Sequence, residues 1–447
     1  MITTNKGVDL EGLVNRLLDK GVSEQAIEAR LKEEILTWKG GEDAEGMAKA
    51  ILEEVKSART MLEDSLLKGV LKAPKSGATM HDLGVGCRGD GDFFVHRLIA
   101  DLAGKGSLLP PEQQDDAGAV KAYGQIIVAS VDGTHSRLSD FPFIAGFHVA
   151  RAAMRDVMVK GAQPVALIDD LHLADDGDVG KLFDFVAGIA AVAELSGVPL
   201  VAGSTLRVGG DMVIGSRMVS GVGCIGVAKR LLKRADVKEG DAILMTQGAG
   251  GGTIATTAIY SGNPDYVKET LNVDFITAIN ILRDNDLLDG INAMLDVTNG
   301  GLRGDANEVC KTAGVGISLN EESVRGVVNE RVLELLGKLG IDYMGVSLDS
   351  LLVFCAQERK AGILDGLRKG GITAAEVGRV TKGDSALLDG EDFRPKFRES
   401  AYTPIKKMVG ESAARKDREF REGAEKAAQA ARNKIKRVVE YVKENKA

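Results

Sequence analysis

The chain has 447 residues, enough for two or three domains, and its 44% hydrophobic content is ordinary for a globular protein. A formal net charge of −8 excludes the overall basic field that draws proteins to nucleic acid or to an anionic membrane. We therefore expect neither among its partners.

The sequence contains no run of about 18 apolar residues, and its polar beginning lacks the apolar core of a signal peptide. Four cysteines, at positions 87, 224, 310 and 355, are far apart in the chain, and the five histidines show no zinc-binding spacing. We interpret three of the cysteines as inert core thiols in a reducing compartment. These observations predict a cytoplasmic protein.

Residues 9–68 repeat apolar positions at helical spacing and show nothing typical of a strand, which predicts three helices. Glycine-containing breaks at 21–23 and 39–41 separate the helices, with Ser23 and Asp43 as N-caps. We place a helical extension over residues 1–75. Because it carries no chemical motif, we interpret it as an appendage for packing or for docking a protein partner.

A glycine-rich segment, GVGCRGDGD, occupies residues 84–92. It contains a literal G-x-G-x-x-G, but no apolar strand precedes it, so a dinucleotide-binding fingerprint is not indicated. We interpret it as a mobile flap that lays backbone N–H groups and the Arg88 guanidinium over phosphates, disordered without ligand and ordered with it. A plain surface loop is the alternative. The cofactor-binding residues expected in this flap are Gly84, Gly86, Cys87 and Gly89.

The stretch from residue 115 to residue 164 combines a predicted buried strand, a long predicted helix and four aspartates. The apolar run QIIVASV at 125–131 stops at Asp132, which places a carboxylate at a strand end. Helical spacing then begins near Pro142 and stops at Lys160-Gly161, with Asp156 inside the helix.

An aspartate among apolar neighbours is costly unless a cation or hydrogen-bond donors satisfy it. Asp115, Asp116, Asp132 and Asp156 could share one cation, and hard oxygen ligands held with phosphate oxygens are how proteins keep Mg²⁺ on a nucleotide. We therefore predict that these four aspartates bind Mg²⁺. The alternative is that they are helix caps and turn residues.

Strand-like and helical patterns alternate after this stretch, with strands at 165–168 and 199–202, a helix at 179–196, and polar residues at the strand ends. A charged boundary at 229–240 is followed by the same alternation of strand-like and helical patterns, with a strand at 242–246 and a strand-to-helix junction at Asp296. There, Asn299-Gly300-Gly301 could offer free N–H groups to an anion. The alternative for Asp296 is an N-cap of the helix from about residue 302.

The α/β pattern fades after about residue 382, and residues 412–446 form a predicted amphipathic helix typical of docking helices. Although this end of the chain is locally basic, solvated charge is our first interpretation, with RNA or membrane contact as the minor alternative. We predict four regions. These are helical residues 1–75, an α/β domain over 76–228, a second over 229–385, and a helical extension over 386–447.

Four ordered motifs resemble those of the aminoimidazole ribonucleotide (AIR) synthetase, or PurM-like, superfamily. They are VDGTHSRL (131–138), RDVMVKGAQPVALIDDL (155–171), AGSTLR (202–207) and DVTNGGLRGDANE (296–308). The resemblance covers roughly residues 80–385. It implies an α+β fold of two α/β domains, with the strands of the first pairing across a two-fold homodimer. It also implies ATP with Mg²⁺ at a dimer-associated cleft, and transfer of the γ-phosphate to an amide- or carboxyl-type oxygen of a small molecule.

Carried over by residue, the resemblance puts Mg²⁺–phosphate aspartates at Asp132 and Asp156 and matches Asp115 and Asp116 to an upstream double aspartate. Arg137 stands where the synthetase motif has lysine, and an arginine clamps phosphate through a fork. We expect Arg88, Arg137 and Asp296 to be catalytic. The cofactor-binding residues expected from the later motifs are Ser204, Thr205, Asn299 and Gly300.

Two departures stand out. Ser204 replaces the acidic residue or histidine that most members have before the threonine, and the chain ends without the terminal cysteine of the hydrogenase maturation dehydratase. We therefore expect a divergent member with its own substrate. Two functions stay open, an ATP- and Mg²⁺-dependent phosphoryl-transfer enzyme or an ATP-binding sensor or assembly protein without turnover.

Overall fold

The computed structural model describes residues 8–444 apart from residues 40, 42, 61–64, 104–105, 136, 299 and 400. Within these residues, no helix combines the length and the apolar character needed to cross a membrane.

The N-terminal unit is a small helical bundle that contains the three predicted helices, together with a fourth helix at 65–71 and a two-residue strand that were not predicted. Ser23 and Asp43 cap its second and third helices through side-chain oxygens, which confirms both as N-caps. The bundle joins the next domain through a short strand pair and through Lys39, which forms ion pairs with Asp175 and Asp176. Its elements are β1 (Val8–Asp9), α1 (Leu10–Asp19), α2 (Glu24–Trp38), α3 (Ala44–Ala58) and α4 (Ser65–Leu71).

The first α/β domain contains a five-stranded sheet in the order β2-β3-β7-β4-β5. β4 and β5 are parallel and the other pairs are antiparallel. Two helices cover one face, and they approach so closely that a Cβ on Gly146 would lie 2.1 Å from the carbonyl oxygen of Phe185. The domain comprises α5 (Asp90–Ala100), β2 (Gly118–Ala122), β3 (Gln125–Gly133), α6 (Pro142–Val159), β4 (Gln163–Leu173), α7 (Gly180–Ser196), β5 (Leu200–Arg207), β6 (Val213–Ile214) and β7 (Met218–Ala228).

The second α/β domain is built on a seven-stranded, largely antiparallel sheet in the order β14-β13-β10-β12-β8-β11-β9. The sheet runs to Asp392, past the expected domain boundary at residue 385. Its elements are β8 (Ala242–Thr246), α8 (Gly252–Tyr260), α9 (Asp274–Asp284), β9 (Ile291–Val297), α10 (Gly301–Ala313), β10 (Gly316–Leu319), α11 (Glu321–Gly326), α12 (Glu330–Lys338), β11 (Ser350–Cys355), α13 (Lys360–Lys369), β12 (Ala374–Thr381), β13 (Ala386–Leu388) and β14 (Glu391–Asp392).

The two domains share one hydrophobic core. Alternate residues of β8 and β11 point to opposite faces of the second sheet, because side chains alternate along a strand. Leu244 and Val353 face a core that also contains Met154 of α6, whereas Ile243 packs into a separate core with α10 and α12. The face shared with α6 fixes the two domains against each other.

The C-terminal region begins with an extended segment, which we call the strap and define as residues 393–399 and 401–403. It lies against the glycine-rich loop, where the backbone N–H groups of Asp90 and Gly91 donate to the carbonyls of Lys396 and Phe397. Two helices follow, α14 (Pro404–Val409) and α15 (Asp417–Glu444). The long predicted C-terminal helix is thus confirmed as α15.

Two predicted strand ends were wrong. β4 continues to Leu173 and β5 to Arg207, so that Asp169, Ser204 and Thr205 lie within strands and not at their ends. Both strands are extended by pairing with each other and, for β4, with β7.

Candidate functional site

A cleft of about 600 Å³ lies between the two α/β domains. β3, α5 and α6 contribute one wall, and β9, the N-terminal turn of α8 and two residues of α10 contribute the opposite wall. This volume is within the range of small-molecule sites in proteins.

Seven carboxylates line this cleft, and we call the six other than Asp115 the cleft carboxylates. Asp132 ends β3, Asp156 lies on α6 and Asp296 lies on β9, so that three segments distant in sequence converge. Asp296 is buried on its strand, and α10 has no side-chain N-cap, which rules out the cap alternative for Asp296. The full set is Asp116, Asp132, Asp156, Asp296, Asp305 and Glu308.

Several of these carboxyl groups resist ionisation. Burial raises the pKa of Asp156 well above its usual range, and the like charges of Asp296, Asp132 and Asp116 raise it further. Burial also raises the pKa of Asp305 well above the usual value, with Asp296 adding to the effect. The pKa values of Asp132 and Asp296 are raised by burial, against the lowering effect of Arg155. A cation bound here would relieve this repulsion.

The residues present fit Mg²⁺ bound together with phosphates. Among the described residues, no three acidic, histidine or cysteine side chains are gathered closely enough to hold a metal by themselves. Mg²⁺, however, commonly uses one or two carboxylates and completes its shell with phosphate oxygens and water. The buried Oδ2 of Asp305 has no hydrogen-bond partner in the described part of the chain, so this oxygen is available to a ligand.

Asp115, predicted as a metal ligand, is instead engaged by buried cations. Its carboxylate pairs with the fully buried ammonium of Lys160 and accepts the backbone N–H of Arg234 at 3.1 Å. Asp116 lies 2.8 Å from the same ammonium and 2.9 Å from the Arg234 guanidinium, and both aspartates lie at the cleft wall. The geometry therefore favours a structural role for Asp115.

Arg155 connects the cleft to the domain interface. Its Nε donates to Asp296 at 2.9 Å, and its guanidinium also pairs with Asp349 of the second domain. Asp349 in turn pairs with the buried Arg151 of α6. This chain of ion pairs holds Asp296 in place at the cleft.

The N-terminus of α8 lies at the cleft without a side-chain cap. Gly251, Gly252 and Thr253 at the start of α8 line the cleft, whereas α10, which follows Gly300 with φ of 102°, reaches the lining only beyond its first turn, through Asp305 and Glu308. Backbone N–H groups and the helix dipole make an end like that of α8 suited to phosphate. Asn299, expected beside Gly300 in this role, lies outside the described residues.

The glycine-rich loop does not offer the backbone cradle expected of it. Of its residues 84–92, Arg88 lines the cleft, whereas Gly84, Gly86, Cys87 and Gly89 do not. The carbonyl of Cys87 accepts from Glu399 of the strap, and a Cβ on Gly89 would lie 2.4 Å from the Lys396 carbonyl oxygen. The backbone of the glycine-rich loop therefore contacts the strap and not a phosphate. The loop contributes only the Arg88 side chain to the cleft.

Three more predicted site residues lie outside the cleft lining. Arg137 stacks on Tyr260 of α8, with its guanidinium carbon 3.8 Å from the ring centroid. Ser204 and Thr205 are exposed on the edge strand β5. No contact in the described structure brings them to the cleft carboxylates.

Sequence reasoning missed several cleft residues. Asp305 and Glu308 are three positions apart on α10, a spacing that puts both on one helix face and could have identified them. His96 of α5 also lines the cleft, 3.3 Å from the buried Asp92, but a lone histidine in a helix carries no signal. His135 belongs to the VDGTHSRL motif and was not singled out.

Family models match most of both α/β domains. The model described as AIR synthase related protein, N-terminal domain, matches residues 114–228, and the C-terminal domain model matches residues 238–389. The glycine-rich loop, the strap and both helical ends lie outside these matches.

Known relatives extend the comparison. An uncharacterized protein of Methanocaldococcus jannaschii is 53% identical and covers 98% of this chain and 99% of its own. Selenide, water dikinase of Myxococcus xanthus is 29% identical over 51% of this chain and 63% of its own. A solved structure of a protein called AaThiL, complexed with AMPPCP and TMP, has a TM-score of 0.54 at 17% identity, covering 68% of this chain and 94% of that one. The structural likeness supports the two-domain fold.

Proposed function

Because the chain belongs to the AIR synthase related protein family, we propose that it is an enzyme that binds ATP with Mg²⁺ and transfers the γ-phosphate to an amide- or carboxyl-type oxygen of a small molecule. The observation that carries this proposal is the convergence of the cleft carboxylates with the uncapped N-terminus of α8. Selenide, water dikinase and the AMPPCP complex are relatives whose names indicate ATP-linked chemistry, which supports ATP as the nucleotide.

The chemistry requires positioning and charge stabilisation more than covalent help from the protein. In this proposal, the N–H groups at the start of α8 bind phosphate oxygens, and Arg88 contributes positive charge from the glycine-rich loop. Asp132, Asp156 and Asp296 would hold Mg²⁺, which would neutralise charge on the phosphates when bound. Arg155 keeps Asp296 oriented through its bond at 2.9 Å.

A second candidate is an ATP-binding sensor or assembly protein without turnover. The helical extensions and Ser204, exposed on β5 away from the cleft lining, favour it. An ADP-release assay with Mg²⁺-ATP across a panel of amides, carboxylates and purine-like intermediates separates the two. We expect at least one acceptor to stimulate ADP release. Tight ATP binding with no release on any acceptor would instead support the sensor.

We also propose a homodimer formed through the uncovered face of the first sheet. On that face, opposite the helices α6 and α7, Val131 and Ile168 lie in one cross-strand row on either side of Gly223, and Val219 and Leu206 lie in another on either side of His172. Exposed apolar side chains gathered on one sheet face support an interaction surface. The row-forming residues are Val131, Ile168, Leu206 and Val219.

Val219→Lys is expected to convert the dimer to a monomer. Val219 is central in the sheet and 52% exposed, so a lysine there would bring a charge into the interface of both copies. Light scattering would measure the mass, with Val179→Lys, another exposed valine outside this sheet face, as the matched control. A wild-type monomer that binds Mg²⁺-ATP fully would show that the cleft needs no second copy.

A further inference from the structure

The strap reaches the wall of the cleft at one side chain, Tyr402. Its ring is 4% exposed, and its hydroxyl contacts Nε2 of His135, which lines the cleft. On its other side, His135 places Nδ1 3.1 Å from the hydroxyl of Thr256 on α8. One imidazole therefore joins three segments, which are the motif that follows β3, the helix α8 and the strap.

The contacts of Tyr402 define which way its hydroxyl points. Lys406 of α14 lies 3.0 Å from the tyrosine oxygen, and an ammonium can only donate. The oxygen therefore accepts from Lys406, and its own hydrogen is left to be donated to Nε2 of His135. A histidine that accepts at Nε2 carries its proton on Nδ1, from which it donates to Thr256.

We propose that Tyr402 is a positioning residue of the nucleotide cleft, whose hydroxyl holds His135 as a neutral ring protonated on Nδ1. The ring then sets the spacing between the segment that follows β3, the strand of Asp132, and the N-terminus of α8. A Cβ on Gly252, the first residue of α8, would lie 3.6 Å from the His135 Cβ, so the two segments are in direct contact at this point.

The surroundings of His135 agree with a neutral ring. Burial lowers the pKa of His135 to about 4, and the positive charges of Lys406 and Arg137 add to this lowering. The titratable groups that face the ring are Tyr402, Lys406, Arg137 and the neighbouring His148. A positive charge on His135 would lower the pKa of His148, so the two rings would not both be charged readily.

The experiment compares Tyr402→Phe with wild type in protein labelled with ¹⁵N at its five histidines, with His135→Gln used to assign the ring signals. In the wild type we expect Nε2 to appear as a non-protonated acceptor and Nδ1 as protonated. Tyr402→Phe keeps the aromatic ring but removes the donor, and we expect the proton to redistribute toward Nε2. Tyr123→Phe is the matched control, because Tyr123 is fully exposed at the β2–β3 turn.

Isothermal titration with Mg²⁺-ATP is the second measurement. This arm rests on the proposed function, and we expect about five- to tenfold weaker binding in Tyr402→Phe, the loss of one hydrogen bond, with Tyr123→Phe unchanged. A wild-type His135 protonated on Nε2 would overturn the proposal, as would a tautomer change with unchanged affinity. If the wild type binds no Mg²⁺-ATP, the proposed function fails, while the histidine spectra still decide the role of Tyr402 toward His135.

Discussion

Asp156→Asn is expected to weaken Mg²⁺-ATP binding by about 100-fold or more while making the ligand-free protein more stable. The two effects have opposite signs because the Asp156 carboxylate is repelled by its neighbours when no cation is bound, but attracts Mg²⁺ when the cation binds. Without a cation, the half-buried Asp156 carboxyl is near the charges of Asp296, Asp132 and Asp116, which raise its pKa beyond the effect of burial. Asparagine has the same shape and removes that repulsion, but it also removes an anionic ligand for Mg²⁺.

The gain in stability depends on pH with a defined sign. A carboxyl group whose folded pKa is raised destabilises the folded protein as the pH rises from its unfolded pKa, about 4, through the folded pKa. The stability advantage of Asp156→Asn should therefore be present near neutral pH and disappear below about pH 4. Thermal unfolding across this range would measure it.

Asp132→Asn is expected to change Mg²⁺-ATP binding in the same direction, because Asp132 also lines the cleft with a raised pKa. The control is Asp265→Asn, an aspartate on the surface of the second domain whose side chain is largely exposed. Unchanged ATP affinity in both cleft variants by isothermal titration would remove these residues from the site.

Lys160→Met is expected to destabilise the fold by about 3–5 kcal/mol, the usual cost of breaking a buried ion pair by removing one partner. Lys160 is fully buried and contacts both Asp115 and Asp116, so methionine would fill its space but leave two carboxylates with Arg234 alone. Lys360→Met is the control, because Lys360 pairs with Glu376 near the surface and should contribute at most about 1 kcal/mol.

The stability lost in Lys160→Met should also depend on pH in a defined direction. Burial alone would raise the pKa of Asp115, but Lys160 and Arg234 outweigh it and hold the pKa below the usual value. Burial alone would lower the pKa of Lys160, but Asp115 and Asp116 outweigh it and raise the pKa. The difference between wild type and Lys160→Met should be full between about pH 5 and pH 9. It should shrink in acid as Asp115 protonates and in alkali as Lys160 loses its proton. A flat difference down to pH 2 would contradict the ion pair.

Elements with a clear end in the sequence could be predicted closely. The strand predicted at 125–131 is β3, α6 ends at Val159 next to the expected Lys160-Gly161 stop, and β8 matches its predicted range of 242–246. The full length of β4 and β5 could not be predicted, because the polar residues of their later halves are held by pairing with strands distant in sequence.

The same distinction between local pattern and long-range contact applies to the candidate site. Asp132, Asp156 and Asp296 could be found because a carboxylate beside apolar residues needs a partner. Which partner it has depends on contacts across the chain, and Asp115 finds Lys160 at a separation of 45 residues and Arg234 at 119. No local pattern encodes either contact, so the sequence suggested a metal where the structure places two cations.

The strap also constrains the order in which this protein can be completed during synthesis. The chain leaves the ribosome from its N-terminus, and the loop that carries Arg88 emerges long before its partner, since Arg398 meets the backbone of His81 across 317 residues. Until the strap is made, the N–H groups of Asp90 and Gly91 have only water to bind. Nascent chains that already contain both α/β domains would therefore still lack the backbone partners of the glycine-rich loop until the strap itself has been translated.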